Sequence, residues 1–326
     1  MTLHVALGIG AGLAAALLFA AVGAQSLPAV MLMYLAPLPI LIVSLGWHHL
    51  LGLLALSSGA IAVSLALSPS AGLAFALGPA LSAWLLAHLA LLTRPGTASN
   101  DNGLGDERWY PLGHLLLWLG MAGALIGLSS LVAATGGDYE RYRSTLEQAA
   151  GSLVRREAGV ERGAPLPQAL GVPGGDFVQL MTGLAPALLG SMLTLVLTIN
   201  LWLAARVVTI SGRLARPWPD VAATRMPMAA VLGLAAAFLL ARTEGFAGVA
   251  GVALVGGLTM AFAMQGLAVV HWASRGRPGR TALLTIAYGL TFLIGYLFLP
   301  AFALLGIADS VLPLRRGLGP RPPSST

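Results

Sequence analysis

The chain has no cysteine and no lysine, and only 9% of its 326 residues are charged. Without cysteine there are no disulfides, no thiolate metal sites and no cysteine nucleophile. The shortage of charge excludes a soluble domain. With 57% hydrophobic residues and a mean hydropathy of +0.84, the chain lacks the polar surface that water requires. Histidine is also sparse, and its six copies show no HExxH or comparable spacing, so no zinc site is expected. There is no GxxxxGKS/T, no GxSxG and no pair of carboxylates on one helical face. Neither an enzyme nor a bound cofactor is therefore expected. The glycines of GIGAGLAAALLFA imitate a dinucleotide fingerprint, but no strand precedes them.

What the chain does have is apolar blocks of roughly 17 to 25 residues, the length an α-helix needs to cross about 30 Å of hydrocarbon. Backbone groups in lipid must pair within their own segment, and the alternation of a β-barrel is absent, so the expected fold is all-α, a polytopic transmembrane helix bundle. The candidate spans are Val5–Ala24, Pro28–Leu45, Leu50–Leu67, Ala71–Leu92, Pro111–Ala134, Phe177–Val207, Met226–Ala241, Val249–Trp272, Thr281–Leu299 and a shorter Ala301–Leu314. Four regions follow: a five-span membrane region over 1–134, an extracytoplasmic insert over 135–176, a second membrane region over 177–314 and a disordered basic tail over 315–326.

All 18 basic residues are arginine, in a background rich in alanine, glycine and leucine, a bias expected of a GC-rich bacterial genome. Their positions set the orientation. Arg206, Arg213, Arg216 and Arg225 follow the sixth span, Arg275, Arg277 and Arg280 follow the eighth, and Arg315, Arg316 and Arg321 lie in the tail, with Asp220 the one acid among them. These segments are expected in the cytoplasm of a bacterial cell with an inner membrane, and both termini with them. The basic excess is thereby explained by topology and anionic lipid, not nucleic acid. Ten spans are preferred to nine, with Thr281–Leu314 crossing twice about a turn at Pro300; a single crossing would leave Arg315 and Arg316 outside. The first span ends in AVGAQS, which suits a signal peptidase, but no basic residue precedes Val5, and a retained helix is preferred.

Outside the bilayer, Tyr139, Tyr142, Leu146, Ala149, Leu153 and Val154 recur at helical spacing, and Asp138–Glu157 reads as an amphipathic helix on the outer interface, a connector in preference to a lid. GAPLPQALGVPGG after it reads as irregular, and RPGTASNDNGLGDER reads as a flexible inner linker.

Within the spans, MYLAPLPILIVSLGW (Met33–Trp47) carries Pro37 and Pro39, which would free the carbonyls of Met33 and Leu35. Broken membrane helices survive where they face protein or a wet cavity. The alternatives are a ligand site at the break or a kink fitted to a neighbour. Tyr34, Pro37, Pro39, Asn200 and Gln265 form the candidate ligand set. The plainer reading of Asn200 and Gln265 is a bond to a neighbouring helix. His88, His114 and His271 sit near span ends. Asp309 is the exception to spans otherwise free of charge at their centres, and it is expected to cap a turn or to pair with Arg315 or Arg316.

YLAPLPILIVSLGW in the second span, LAPALLGSMLTLVLTINLWLAARVV followed by WPDVAATRMP in the middle, and LLGIADSVLPLRR at the end together resemble the YybS-like bacterial membrane proteins. Pro37, Pro39, Pro186, Asn200, Arg206, Pro227, Asp309 and Arg315 fall on that pattern. The family is in turn similar to the substrate-binding (S) components of energy-coupling-factor vitamin transporters. This likeness implies a coupling face at Ala11 and Ala15. Arg213, Arg216, Asp309 and Arg315 are the further candidates for a coupling or partner surface, toward an energising ATPase module or another membrane protein. S components have about six spans, fewer than this chain. The function expected is transporter-like, a small-solute-binding or permease subunit; the alternative is a non-transporting membrane scaffold or assembly factor.

Overall fold

A computed structural model of the chain describes residues 2–24, 26–94, 108–161, 165, 168, 171–294, 299–312, 314 and 315. Six of the thirteen residues of GAPLPQALGVPGG, the interior of the 94–108 linker and the tail beyond Arg315 lie outside the described residues, so those three readings stand as expectations.

Thirteen α-helices are described, and proline marks the start of many of them. A proline's missing N–H is harmless in a first helical turn, and its fixed φ suits one. The helix α1 spans Thr2–Ala20 and runs on through a 3₁₀ turn to Ala24. Pro28 lies in the first turn of α2, Leu27–Tyr34, where Ser26 Oγ accepts from Ala29 N. Pro37 opens α3, Pro37–Gly46, and α4 follows over His49–Ala66. Ser68 caps α5, Pro69–Phe75, which passes through a π-helical turn at Ala76–Ala80 around Pro79 into α6, Leu81–Ala90. That bulge absorbs a proline inside the fourth span, where sequence reading expected a plain helix.

Pro111 precedes α7, Leu112–Thr135, which Gly136 ends in the left-handed conformation (φ 65°) that L side chains avoid. The amphipathic helix α8 covers Tyr139–Glu157, with Asp138 as its cap accepting from Arg141 N at 3.1 Å. Then come α9, Gly174–Ile210, α10, Met228–Leu240, α11, Gly245–Ala273, α12, Arg280–Ile294, and α13, Leu299–Val311. Pro300 sits in the first turn of α13 and is not a turn between helices; residues 295–298 lie outside the described residues. A two-residue antiparallel ladder, Thr93–Arg94 with Arg108–Trp109, ties the ends of the 94–108 linker together.

Seven helical stretches are long and apolar enough to cross a membrane, from Thr2–Ala24 to Gly245–Ala273, and α10, α12 and α13 are shorter apolar helices. Each expected span thus has a helix, and the protein is a multi-pass membrane bundle. At 37 residues α9 is about 55 Å long, so it outreaches the hydrocarbon and its first turns carry α8. Leucines and phenylalanines face outward around the bundle, Phe292 on α12 being 92% exposed, as lipid-facing side chains must be.

The core joins both membrane regions. α3 and α7 pack on α9, and α7 and α9 on α11, the most enclosed span. Small residues set the spacing, since association in lipid depends on close backbone approach. A Cβ on Gly256 would fall 1.9 Å from the Ala187 carbonyl of α9, and one on Gly266 would fall 2.0 Å from that of Phe302 in α13. In α1 the close face is Gly8 and Gly12, set against Leu54, Ser58 and Gly59 of α4. This corrects the coupling-face expectation: Ala15 is fully buried and Ala11 half-buried against the core, so that side of α1 is already used by its own chain.

Candidate functional site

The proline break resolves into a helix contact. Leu35 N bonds Leu32 O, Ala36 N bonds Met33 O and Leu38 N bonds Leu35 O, so the ladder tightens from four residues to three. The carbonyls of Met33 and Leu35, expected to be free, are therefore filled. The tightening leaves Tyr34 O instead, and Asn200 Nδ2 from α9 donates to it at 2.9 Å while also donating to Val196 O. Asn200 is 1% exposed, and its Oδ1 finds no donor among the described residues. Tyr34 and Pro39 are half-buried and Pro37 is buried beside it.

Gln265 belongs to a different group. It lies on α11, fully buried, accepting from Met226 N at 3.0 Å and donating to Asp309 Oδ2 at 2.8 Å. Asp309, 1% exposed in the last turns of α13, takes a two-pronged ion pair from Arg315, with Nε at 3.0 Å from Oδ1 and Nη2 at 2.9 Å from Oδ2. Arg315 also donates to Ala222 O at 2.7 Å and to Thr224 O. Arg225 donates to the carbonyls of Asp309, Ser310 and Leu312, filling the C-terminal acceptors of α13. Together these bonds clamp the 211–227 loop onto α11 and α13. The WPDVAATRMP and LLGIADSVLPLRR motifs meet here, 84 to 93 residues apart in sequence by the separations of their bonds. A buried ion pair of this kind persists only when its remaining donors are also satisfied, and here the backbone carbonyls of the loop satisfy them.

Beside the clamp is a cavity of about 650 Å³, within the size range of small-molecule sites. Its walls come from α7, α9 and α11, with Leu116, Leu119, Leu195, Met264 and Leu267 along them. Its polar atoms gather at one end, where Arg216, Asp220, Arg275 and Arg280 meet His271 and Tyr288. None of Tyr34, Pro37, Pro39, Asn200 or Gln265 lines it. The candidate ligand set is thus spread over a helix break and a loop clamp, and the cavity lies between them. Of the candidate partner surface, Arg216 lines the cavity mouth and donates to Ala90 O at 3.0 Å, Arg213 is exposed and stacks on Trp47 at 4.6 Å, and Asp309 and Arg315 are enclosed in the clamp.

Charge at the mouth is unevenly satisfied. Arg275 and Asp220 form a two-pronged pair, and Arg275's hydrogen bonds hold the Asp220 carboxyl below the usual carboxylate range. Burial lowers the Arg216 guanidinium from its ordinary value. His271 Nε2 and Tyr288 OH lie 2.8 Å apart, the contact that fastens α12 to α11. Arg280, in the first turn of α12, makes no hydrogen bond or ion pair with another described residue. Sequence reading missed this mouth because its residues come from three separate segments.

Across the bundle, Tyr139 and Tyr142 of α8 close on Phe246 at the start of α11, ring centroids 5.8 Å apart. Burial, with Tyr139 beside it, pushes the Tyr142 hydroxyl up to about 12. The structure thus has one basic end, where the contacts of Trp47, Ala90, Asp220 and Arg315 gather the arginine loops, and one end covered by α8.

No curated protein and no solved structure matches the chain. A family model described as predicted membrane protein (DUF2232) matches residues 13–310, nearly the whole of the chain, including the first two of the motifs singled out above and the first half of the third, and the protein belongs to that family.

Proposed function

We propose that the protein is a solute-capturing, transporter-like subunit of a bacterial inner membrane, with its ligand in the cavity bounded by α7, α9 and α11. The carrying observation is that cavity: about 650 Å³ of largely apolar-walled space between α7, α9 and α11. The clustering of arginine loops at the cavity's polar end supports a cytoplasmic mouth, both termini inside and ten crossings, with α12 and α13 as a tilted pair. The likeness to YybS-like proteins and to S components agrees with this reading, with Arg213 as the exposed arginine for an ATPase-bearing partner. The second reading, a membrane scaffold without transport, is favoured by α8, whose polar face and exposed Leu153 are presented outward.

Native mass spectrometry of the full chain in a lipid nanodisc separates the two. A retained small molecule that is lost in Ala205→Phe, a substitution that fills the cavity from α9, is the expected result. A ligand-free protein that keeps only protein partners, unchanged in the variant, would favour the scaffold.

A further inference from the structure

We infer that the ligand of this cavity is an anionic amphiphile, a single apolar chain ending in a phosphate or carboxylate, with the chain among the leucines and the head at Arg280. This rests on the cavity being the capture site, and it adds the class of molecule.

Three guanidinium groups line the mouth against one carboxylate, Asp220, among the described residues, an excess of two positive charges. Arg275 is committed to Asp220 by two hydrogen bonds, and Arg216 is anchored on the Ala90 carbonyl. Arg280 keeps its whole donor fork without a described partner. A guanidinium fork matches the paired oxygens of a phosphate or carboxylate, and such bonds are among the stronger ones available. The site lacks what other ligand classes need. Away from that cluster the hydrogen-bonding side chains on the wall are Thr198, whose hydroxyl donates to Thr194 O at 2.8 Å, Thr224 and the indoles of Trp202 and Trp218, set among leucines, so a sugar or a nucleobase would bury more donors and acceptors than the wall can pair. A small inorganic anion would fill the mouth and leave the apolar space unused. A cation would face the excess positive charge. Only a molecule polar at one end and apolar along its length satisfies both parts of the cavity at once.

The position of the mouth fits this class. It lies at the basic end of the bundle, where lipid headgroups meet arginine side chains, and α12, which lends Arg280 and Tyr288 to the lining, carries the exposed apolar Leu283 and Ile286 between them. An amphiphile in the adjoining leaflet can therefore enter by its tail without leaving an apolar surface. Bilayer lipid and free alkyl anion share this chemistry, and the experiment distinguishes them.

The full chain is placed in phosphatidylcholine nanodiscs with a photoactivatable single-chain alkyl phosphate whose reactive group sits at the tail end. Labelled peptides are mapped by mass spectrometry. Labelling is expected on 115–119 of α7 and 264–268 of α11, to exceed that by a neutral alcohol of equal chain length, and to fall roughly tenfold in Arg280→Gln, the scale of one lost charged hydrogen bond. Arg280→Lys recovers part of it, and Arg277→Gln, a neighbouring arginine outside the lining, leaves it unchanged. Replacing part of the phosphatidylcholine with phosphatidylglycerol suppresses labelling if the bilayer is the source, and leaves it intact if a free alkyl anion is preferred; both results support the inference. Equal labelling by the neutral alcohol, insensitive to Arg280→Gln, overturns the anionic class while keeping the cavity as the capture site. Suppression by inorganic phosphate alone also overturns it, in favour of a head-only anion site. Absence of labelling at both segments by either probe, with Ala205→Phe no different from the parent, overturns the capture site itself.

Discussion

Asn200 and Asp309 are each 1% exposed inside an apolar bundle, yet the surroundings that hold them differ. Asn200 holds a proline-broken helix with one long-range bond to Tyr34 O and tolerates an unpartnered oxygen. Asp309 takes two prongs from Arg315 and one from Gln265, and Arg315 in turn needs the carbonyls of Ala222 and Thr224. The difference follows from charge. A neutral amide left partly unpaired costs a few kcal/mol at most, whereas a buried carboxylate without a countercharge costs several more, so one bond suffices at one site and a closed network is needed at the other.

The largest expected effect comes from breaking the charged site. Arg315→Ala strands Asp309 in the core and is expected to lower stability by about 3–5 kcal/mol, read from denaturant unfolding in a fixed detergent. The double variant Asp309→Leu/Arg315→Met removes both charges and is expected to recover part of that loss. Equal instability of single and double would mean that the backbone carbonyls, not the charge, make the clamp. Gly306→Val tests the seat beneath it: a Cβ there would fall 2.0 Å from Phe262 O, so α13 must move off α11, at a cost of roughly 1–3 kcal/mol, with the Gln265–Asp309 bond lost in the same step.

At the neutral site, Asn200→Leu leaves Tyr34 O unfilled and is expected to cost about 1–2 kcal/mol, by the same measurement. A loss matching that of Arg315→Ala would erase the distinction between the two sites. The smallest effect belongs to the exposed pair at the cavity mouth: Asp220→Asn is expected to cost under about 1 kcal/mol. Its pH dependence has a fixed sign. The Asp220 carboxyl is depressed in the folded protein, so the pair's contribution is complete above the ordinary carboxylate value, roughly pH 4, and is lost as pH falls through the lower folded value. The gap in melting temperature between the parent and Asp220→Asn should therefore close only in acid; a gap that closes near neutrality would point to another group.

Much of the fold is legible in the residues taken singly. The apolar blocks locate the helices, the prolines at 28, 37, 69 and 111 mark where four of them begin, and the spacing of Tyr139, Tyr142 and Val154 identifies the amphipathic helix α8 and its buried face. The π-turn at Pro79 was less legible, because a proline inside a span reads equally as a bulge, a kink or a start. The expected freeing of Met33 and Leu35 rested on an unchanged four-residue ladder, and the chain instead shortened its bonds and moved the orphan carbonyl to Tyr34. Asn200 and Gln265 were visible as polar residues in apolar helices, but nothing local says that one faces Tyr34, 166 residues away, and the other Met226 and Asp309.

By itself, the sequence determined the solvent of this protein and its secondary structure, because a bilayer imposes its length and its hydrogen-bond demand on each segment separately. Tertiary structure decided the rest: which carbonyl Asn200 fills, that the small face of α1 is spent on α4, that Asp309 is closed in by Arg315, and that three arginines from two distant segments share the mouth of one apolar cavity. Those outcomes depend on which helices lie side by side, and in lipid that choice is made by close packing and by pairing of polar groups across the bundle, neither of which is written in any one segment.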